Sequence, residues 1–462
     1  MRVLMLGWEY PPHISGGLGT ACEGLTRALS QEGVDVTFIV PRAFGDEDAG
    51  HMNLVSPQNA REVVSRTVTR KRKGPDSHRD VESIDTLEMI EVDSILRPYQ
   101  TPESYETRHT EFRTRRRREI VPGETTIEHE DVEFVLEDSG SGQHYGDDLY
   151  AEVRRYADLT GQLAERIDFD LIHAHDWMTY PAGLEARRRT GKPLVVHVHS
   201  LEFDRSGEHV NEGIHRIEGA GINGADRVIA VSHYTKAVAV KQHGVDPSMI
   251  NVVHNGVTRA EGLQRYHLEP APDAPPMVLF LGRVTYQKGP EFFVRAAQKV
   301  LTRAPRTRFV MAGSGDMLES MKKLARQLGI FDSFEFPGFV RGAELERIFT
   351  MADVYVMPSR SEPFGISPLE AMAYDTPVIV SRQSGVSEVL RHALKVDYWD
   401  VDRMAQLILA VVRHQSLSNE MLEMGTREVL QLHWKAAAQK VVHVYHEVLG
   451  QSPVVEELCY PF

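Results

Sequence analysis

Ser361-Glu362-Pro363-Phe364-Gly365-Ile366-Ser367-Pro368-Leu369-Glu370 lies between an apolar run, Asp353-Val354-Tyr355-Val356-Met357-Pro358, and a helical pattern opening with Ala371-Met372-Ala373. This order predicts a strand, a tight loop and a helix start, the repeating unit of parallel α/β sheets. Glu362 and Glu370 stand eight positions apart around a loop whose backbone N–H groups are free. N–H groups at a helix mouth favour an anion such as phosphate or diphosphate. A carboxylate on each flank can accept hydroxyls, of a sugar on one side and of a ribose on the other. Ser367-Pro368-Leu369-Glu370 also reads as a capping box with proline at the first helical position, which would give Glu370 a purely structural job. Glu362 has no such structural explanation.

Outward from this stretch, short apolar runs alternate with helical patterns. Strands are predicted near 2–7, 34–40, 169–174, 194–199, 227–232 and 250–254, and again near 277–282, 307–312, 333–336, 353–357 and 377–381. Between the two series, 259–276 contains Pro270, Pro272, Pro275 and Pro276 and reads as a linker. The pattern predicts α/β architecture with two Rossmann-like domains whose parallel sheets face a cleft, 1–258 and 277–429. Ligands of such sheets bind at the carboxyl ends of the strands. A last helix near 433–449, with Trp434, Val441, Val442, Val444, Tyr445 and Val448, is amphipathic. Residues 44–150 break the rhythm with few apolar runs and two basic clusters, Arg70 to Lys73 and Arg113 with Arg115 to Arg118. They read as a solvated insertion, with an acceptor-binding or anionic-surface role as the alternative.

At 462 residues the chain exceeds one ordinary core, and 42% hydrophobic with 26% charged residues is a globular composition. A net charge of −14 argues against a nucleic-acid binder. Two cysteines, Cys22 and Cys459, in no ligand spacing suggest a reducing compartment, so a cytoplasmic location is expected. Met1 to Gly7 reads as a first strand rather than a signal segment, and no apolar run suits a membrane span. Peripheral membrane contact stays open.

Further motifs fall at strand ends. Glu9-Tyr10-Pro11-Pro12-His13-Ile14-Ser15-Gly16-Gly17-Leu18-Gly19-Thr20 follows the first strand and leads into a helix expected over Glu23 to Leu29. Its adjacent glycines, Gly16 and Gly17, let backbone approach a bulky anion, but the spacing is not a dinucleotide fingerprint. His173-Ala174-His175-Asp176-Trp177 and His197-Val198-His199-Ser200 each end a strand, with i and i+2 side chains on one face. Such pairs with an aspartate can bind zinc, so a metal hydrolase is one alternative. For His173 and His197 a core position is the favoured reading. Gly282-Arg283-Val284-Thr285-Tyr286-Gln287-Lys288-Gly289 offers an arginine fork and a lysine point charge across one loop, suited to clamping a diphosphate. Gly313-Ser314-Gly315-Asp316 opens another helix and either lines a nucleotide or caps a turn. Asn255-Gly256-Val257 reads as structural.

Together these motifs resemble the retaining GT-B glycosyltransferases of family 4 and the glycogen and starch synthases, over most of the chain outside 44–150. Glu362 to Glu370 matches the E-x7-E signature, and His-Ala-His-Asp-Trp resembles a synthase segment. The resemblance implies that a nucleoside-diphosphate sugar is the donor and that a carbohydrate or other glycan is the acceptor. It also implies that the terminal helix, about 430–462, crosses back onto the first domain. By the same resemblance, Arg283 and Lys288 hold the leaving diphosphate with the N–H groups of Gly365 and Ile366. Glu362 and His199 hold the sugar, Glu370 the ribose, and Gly16 and Gly17 lie opposite near the transferred sugar. Gly313 lines the nucleotide side, and Gly338-Phe339-Val340-Arg341 lies where the base packs. No cofactor and no metal are expected, since fixed cations serve the leaving group. Glucosyl transfer of the glycogen synthase kind is the leading expectation. One departure is Ile14, where bacterial glycogen synthases carry lysine two positions before the paired glycines. A family 4 transferase acting on a sugar phosphate, lipid or envelope polysaccharide is therefore the alternative. A sugar-nucleotide epimerase and a catalytically dead binding protein are rivals from other classes.

Overall fold

The computed structural model describes residues 1–11, 17–41, 52–55, 87–91, 145–258 and 274–450. Two parallel sheets organise them. The first contains β1 (Arg2–Leu6), β2 (Asp35–Val40), β3 (Met52–Val55), β4 (Leu87–Glu91), β5 (Leu171–His175), β6 (Leu194–Val198), β7 (Arg227–Ala230) and β8 (Ile250–Val252), in the order β3-β4-β2-β1-β5-β6-β7-β8. The second contains β9 (Met277–Leu281), β10 (Arg308–Ala312), β11 (Phe334–Gly338), β12 (Val354–Met357), β13 (Val378–Ser381) and β14 (Leu394–Val396), in the order β11-β10-β9-β12-β13-β14. The α/β, two-sheet architecture read from the sequence is the one observed. Two points differ. β3 and β4 fall inside 44–150, where no strand is expected, and β14 is too short and too lysine-interrupted to register as an apolar run. The rest of that insertion before 145, and most of the proline-rich linker, lie outside the described residues.

Both faces of each sheet are covered, which explains why the strands are apolar runs rather than alternating ones. In β1, Leu4 and Leu6 join a core with the helices Tyr145–Ala164 and Tyr180–Thr190. Val3 and Met5 point the other way, into a core shared with the helices Gly17–Gln31 and Trp434–Val448. That terminal helix thus returns from the second sheet to the first. Its entry is fixed sterically, because the backbone at His433 and Trp434 passes where a Cβ on Gly256 would stand, 2.4 Å from the Trp434 nitrogen. A core against the second sheet is centred on Phe293 of the helix Pro290–Leu301, whose ring lies 5.7 Å from both Phe280 and Phe309.

Strand order places the chemistry. In the first sheet the chain leaves β1 toward β2 and later resumes on the opposite side at β5. In the second it leaves β9 toward β10 and resumes at β12. A reversal of this kind opens a crevice at the carboxyl ends of the diverging strands. The loops after β1, β5, β9 and β12 carry candidate motifs, and so do those after the neighbouring strands β6, with His199, and β10, with Gly313.

The Trp434 indole covers Gly24 of the helix Gly17–Gln31 so closely that a Cβ there would lie 2.2 Å from its ring. Gly24→Ala is expected to destabilise the protein by about 1–3 kcal/mol through overpacking, read as a lower urea midpoint. An unchanged midpoint would mean that the terminal helix is free to shift.

Candidate active site

The second-domain half of the site is built by two turns. After β9 the chain runs through Gly282 to the 3-10 turn Tyr286–Lys288, whose cap Gly289 is left-handed, with φ 59°. A Cβ on Gly289 would meet the Pro358 carbonyl at 2.4 Å, so glycine is what lets this turn press against the end of β12. The contact delivers Lys288 to Glu362, with Nζ donating to Oε2 at 2.5 Å. Ser359 Oγ donates to the same oxygen at 3.0 Å. Glu362 is buried, 6% exposed, yet its charge has a cation and a hydroxyl to answer it. Its backbone is stitched to the loop after β13, through Glu362 N to the Gln383 carbonyl and Gly385 N to the Glu362 carbonyl, both at 2.9 Å.

Beyond Glu362 the chain turns sharply at Gly365, with φ 99°, where a Cβ would crowd both Glu362 Cγ and Met357 Sδ at 3.1 Å. No acceptor among the described residues takes the N–H groups of Gly365 and Ile366. The helix then runs Ser367–Ala373 with Ile366 as its N-cap and no capping side chain. The expected capping box is therefore corrected. Ser367 is already helical, one residue too late to cap, and the Glu370 carboxyl has no hydrogen-bond partner among the described residues. Burial pushes the Glu370 carboxyl up to about 7.

Arg283 sits in the same β9 loop as Lys288. This loop is laced to the next one, since Val284 N donates to the Ser314 carbonyl at 2.8 Å and Met317 N to the Val284 carbonyl at 3.0 Å. A Cβ on Gly313 would fall 1.8 Å from the Gly282 carbonyl. Close backbone approach thus accounts for that glycine whatever else it lines.

The first-domain half is a run of imidazoles. His173, His175, His197 and His199 lie on adjacent ends of β5 and β6, with His173 to His175 and His197 to His199 ring centroids both 4.2 Å apart. His175 Nδ1 and His199 Nε2 share a 2.8 Å hydrogen bond, and His173 Nδ1 and the Tyr445 hydroxyl one of 2.6 Å. Burial drives His173 and His199 down to about 3 and carries His175 and His197 well below the usual range. All four are neutral rings at physiological pH. Asp176 adopts a left-handed backbone, φ 61°, and turns the chain so that Oδ1 accepts the N–H groups of His199 at 2.8 Å and Ser200 at 3.1 Å. His199 is thus positioned by one carboxylate and one imidazole. Gly17 is the first residue of the helix Gly17–Gln31, which starts earlier than the sequence suggests. Gly16 and Ile14 lie outside the described residues.

The two halves touch on either side of Glu362. Ser361 Oγ donates to Asp204 Oδ1 at 2.5 Å and lies 2.9 Å from the Tyr234 hydroxyl. The Pro363 carbonyl accepts Ser232 Oγ at 2.5 Å and Thr235 Oγ1 at 3.0 Å. Glu388 accepts the N–H groups of His233 at 2.9 Å and Tyr234 at 2.6 Å, where the helix His233–His243 begins, and meets His254 Nε2 at 3.1 Å. Burial opposes the charge on Glu388, but those hydrogen bonds outweigh it and hold the carboxyl below its usual range. Sequence reasoning missed this seam: Asp204, Tyr234 and Glu388 stand in no motif. Only Ser361 and Pro363, inside the E-x7-E stretch, gave a signal.

Comparison with known proteins places this arrangement. The family model described as glycosyl transferases group 1 matches residues 268–428, and that described as glycosyltransferase family 4 matches residues 130–261. The chain is a GT-B glycosyltransferase of group 1/family 4. An uncharacterised glycosyltransferase of Methanocaldococcus jannaschii is 28% identical, across 98% of this chain and 100% of its own. A D-inositol 3-phosphate glycosyltransferase of Thermobifida fusca is 29% identical over 61% of this chain and 70% of its own. A glycogen synthase of Mycobacterium tuberculosis is 24% identical over 84% and 80% respectively. Among solved structures, sucrose-phosphate synthase from Thermosynechococcus elongatus superposes with a TM-score of 0.67 at 17% identity, covering 98% of this chain and 100% of that one. Anabaena HepE in complex with UDP-glucose superposes with a TM-score of 0.62 at 16% identity, covering 97% and 100%. Among the described residues of the glycosyltransferase, no helix is long and apolar enough to cross a membrane.

The seam predicts its own weak point. Glu388→Ala in the glycosyltransferase would take the capping carboxylate from the exposed N–H groups of His233 and Tyr234 and is expected to cost about 0.5–2 kcal/mol, the scale of a lost helix cap. Urea unfolding measures the loss, and small-angle scattering is expected to show a wider spread of domain separations than the parent chain.

Proposed function

We propose that this glycosyltransferase moves a glucosyl unit, with retention, from a nucleoside-diphosphate sugar to a glycan hydroxyl. The observation that carries the reading is the 2.5 Å pair of Lys288 and Glu362 beside the untaken N–H groups of Gly365 and Ile366. A cation, a carboxylate and free donors converge where a diphosphate and a sugar must both be held. In the transfer, the bond from C1 to the phosphate oxygen breaks and its electron pair stays with the diphosphate. Arg283, Lys288 and the two N–H groups meet that charge as it develops, which is where electrostatic stabilisation contributes most. The acceptor oxygen bonds to C1 on the same face, and its proton passes to the departing phosphate. Lys288 can serve the diphosphate while Glu362, held also by Ser359, turns its second oxygen to the sugar hydroxyls. His199, neutral and fixed by His175 and Asp176, can accept from or donate to a sugar hydroxyl without bringing charge. Glu370 takes the ribose hydroxyls. The leaving charge is met by side chains and N–H groups, so no metal enters the transfer step.

A second reading has its own support. The inositol 3-phosphate transferases among the relatives, and Ile14 in place of the synthase lysine, favour a sugar-phosphate acceptor. Release of nucleoside diphosphate from ADP-, UDP- and GDP-glucose, with glycogen, maltooligosaccharides or inositol phosphate supplied in turn, separates the two. Glucan elongation supports the first reading, and turnover only with the phosphorylated acceptor replaces it with the second.

Glu362→Ala is expected to lower kcat by at least about 10²-fold, the scale of losing one preorganised electrostatic group, with the urea midpoint little changed. Turnover retained in that variant would remove Glu362 from the mechanism. Glu370 provides a pH signature. Its carboxyl sits at about 7 without ligand, and ribose hydroxyls donate to the ionised form, so binding releases a proton. Donor KM is therefore expected to rise as pH falls below 7, approaching about tenfold per unit, and to level off above it. Glu370→Gln is expected to flatten that profile.

A further inference from the structure

The imidazoles of β5 and β6 hold more unspent bonding capacity than sugar recognition by His199 requires. His173 Nε2, His175 Nε2 and both nitrogens of His197 are buried without a hydrogen-bond partner. A buried polar atom left unpaired costs about 1–3 kcal/mol, and several gathered in one place call for an occupant. One ligand atom from each of His173, His175 and His197 lies within 4.8 Å of the others. The register explains the gathering, since His173 and His175 share a face of β5 and His197 stands opposite His175 on β6.

We propose that His173, His175 and His197 form a site for one divalent transition metal of the zinc class, buried between the β5–β6 strand ends and the terminal helix. Three imidazoles with an open fourth position are an established zinc donor set. Tetrahedral Zn–N bonds of ~2.1 Å put ligand nitrogens about 3.4 Å apart, so nitrogens now up to 4.8 Å apart have to draw in, and the His173 and His197 rings, stacked with planes 8° apart, have to turn toward a common point. The outer partners are in place. With Nδ1–H of His173 donating to the Tyr445 hydroxyl and Nδ1–H of His175 donating to His199 Nε2, both Nε2 atoms carry their lone pairs free. The metal takes no part in the transfer; it locks the β5–β6 ends against the helix Trp434–Val448 and, through His175, holds His199. Only that last consequence rests on the reading of His199 above.

The test uses the full chain, stripped of metal and titrated with cobalt(II), so its readout does not depend on transferase activity. One equivalent is expected to bind with the strong visible absorption of tetrahedral cobalt and to raise the melting temperature. His197→Ala is expected to remove that equivalent. Tyr445→Phe, which keeps the ring and loses the hydroxyl, is expected to weaken it by about 10–100-fold, an effect that a packing role alone would not have. His215→Ala is expected to leave it intact, which separates this site from the other grouping of possible ligands among the described residues, His215, Glu218 and His243. Wild-type chain that binds no cobalt, or an equivalent that survives both His197→Ala and Tyr445→Phe unchanged, overturns the proposal.

Discussion

The position of Glu362 is over-determined, and the rest of the site is arranged around it. Its carboxylate meets Lys288 and Ser359, its backbone is sewn to the loop after β13, and its neighbours Ser361 and Pro363 are each held by the first domain. Backbone freedom is needed at two points only. Gly289 presses against Pro358 and Gly365 turns beside Met357, and at both the left-handed conformation would be strained with any side chain. The turns set where Lys288 and Glu362 stand, so a side chain at either glycine would displace them.

The two sides of the crevice use opposite electrostatics. On the second domain, charge is paired and kept: a lysine against a carboxylate, with N–H donors beside it. On the first, charge is suppressed, because four imidazoles share a buried strand face and none can take up the second, charging proton there at neutral pH. This division suits a donor whose nucleoside diphosphate is anionic and whose sugar is neutral. Glu370 stands between these regimes, buried enough to be driven toward neutrality and unpaired enough to be recovered as a carboxylate by hydroxyl donors.

What was legible in the sequence follows from what each feature depends on. Strands buried on both faces must be apolar throughout, so β1, β5, β6, β9, β10, β12 and β13 were readable as runs. Strand-end loops carry glycines where backbones touch, so Gly289, Gly313 and Gly365 were visible signals, and the close Gly282 carbonyl accounts for Gly313 whatever else it lines. β14 was not readable, because a short edge strand with a central lysine has no periodicity. The capping box misled for a similar reason: serine and glutamate at the right spacing do not say which residue is first to turn, and the left-handed Gly365 pulled the helix start forward to Ser367. The contacts of Asp204, Tyr234 and Glu388 join residues 127 to 157 positions apart, a separation at which single-sequence patterns carry no information.

That seam has a mechanical consequence for the site. The helix His233–His243 receives Glu388 at its exposed N–H groups, and its cap Ser232 also donates to the Pro363 carbonyl. One helix end therefore holds both the loop carrying Glu362 and the loop after β13. A rotation of the second domain about this end would carry Lys288 and Glu362 together, since their 2.5 Å pair lies wholly within that domain. The pair would be preserved as the crevice opened, while the distance from Glu362 to His199, which belongs to the other domain, would change. On the proposed reading, the pair that serves the donor would survive such a rotation, and only its meeting with the first domain would change.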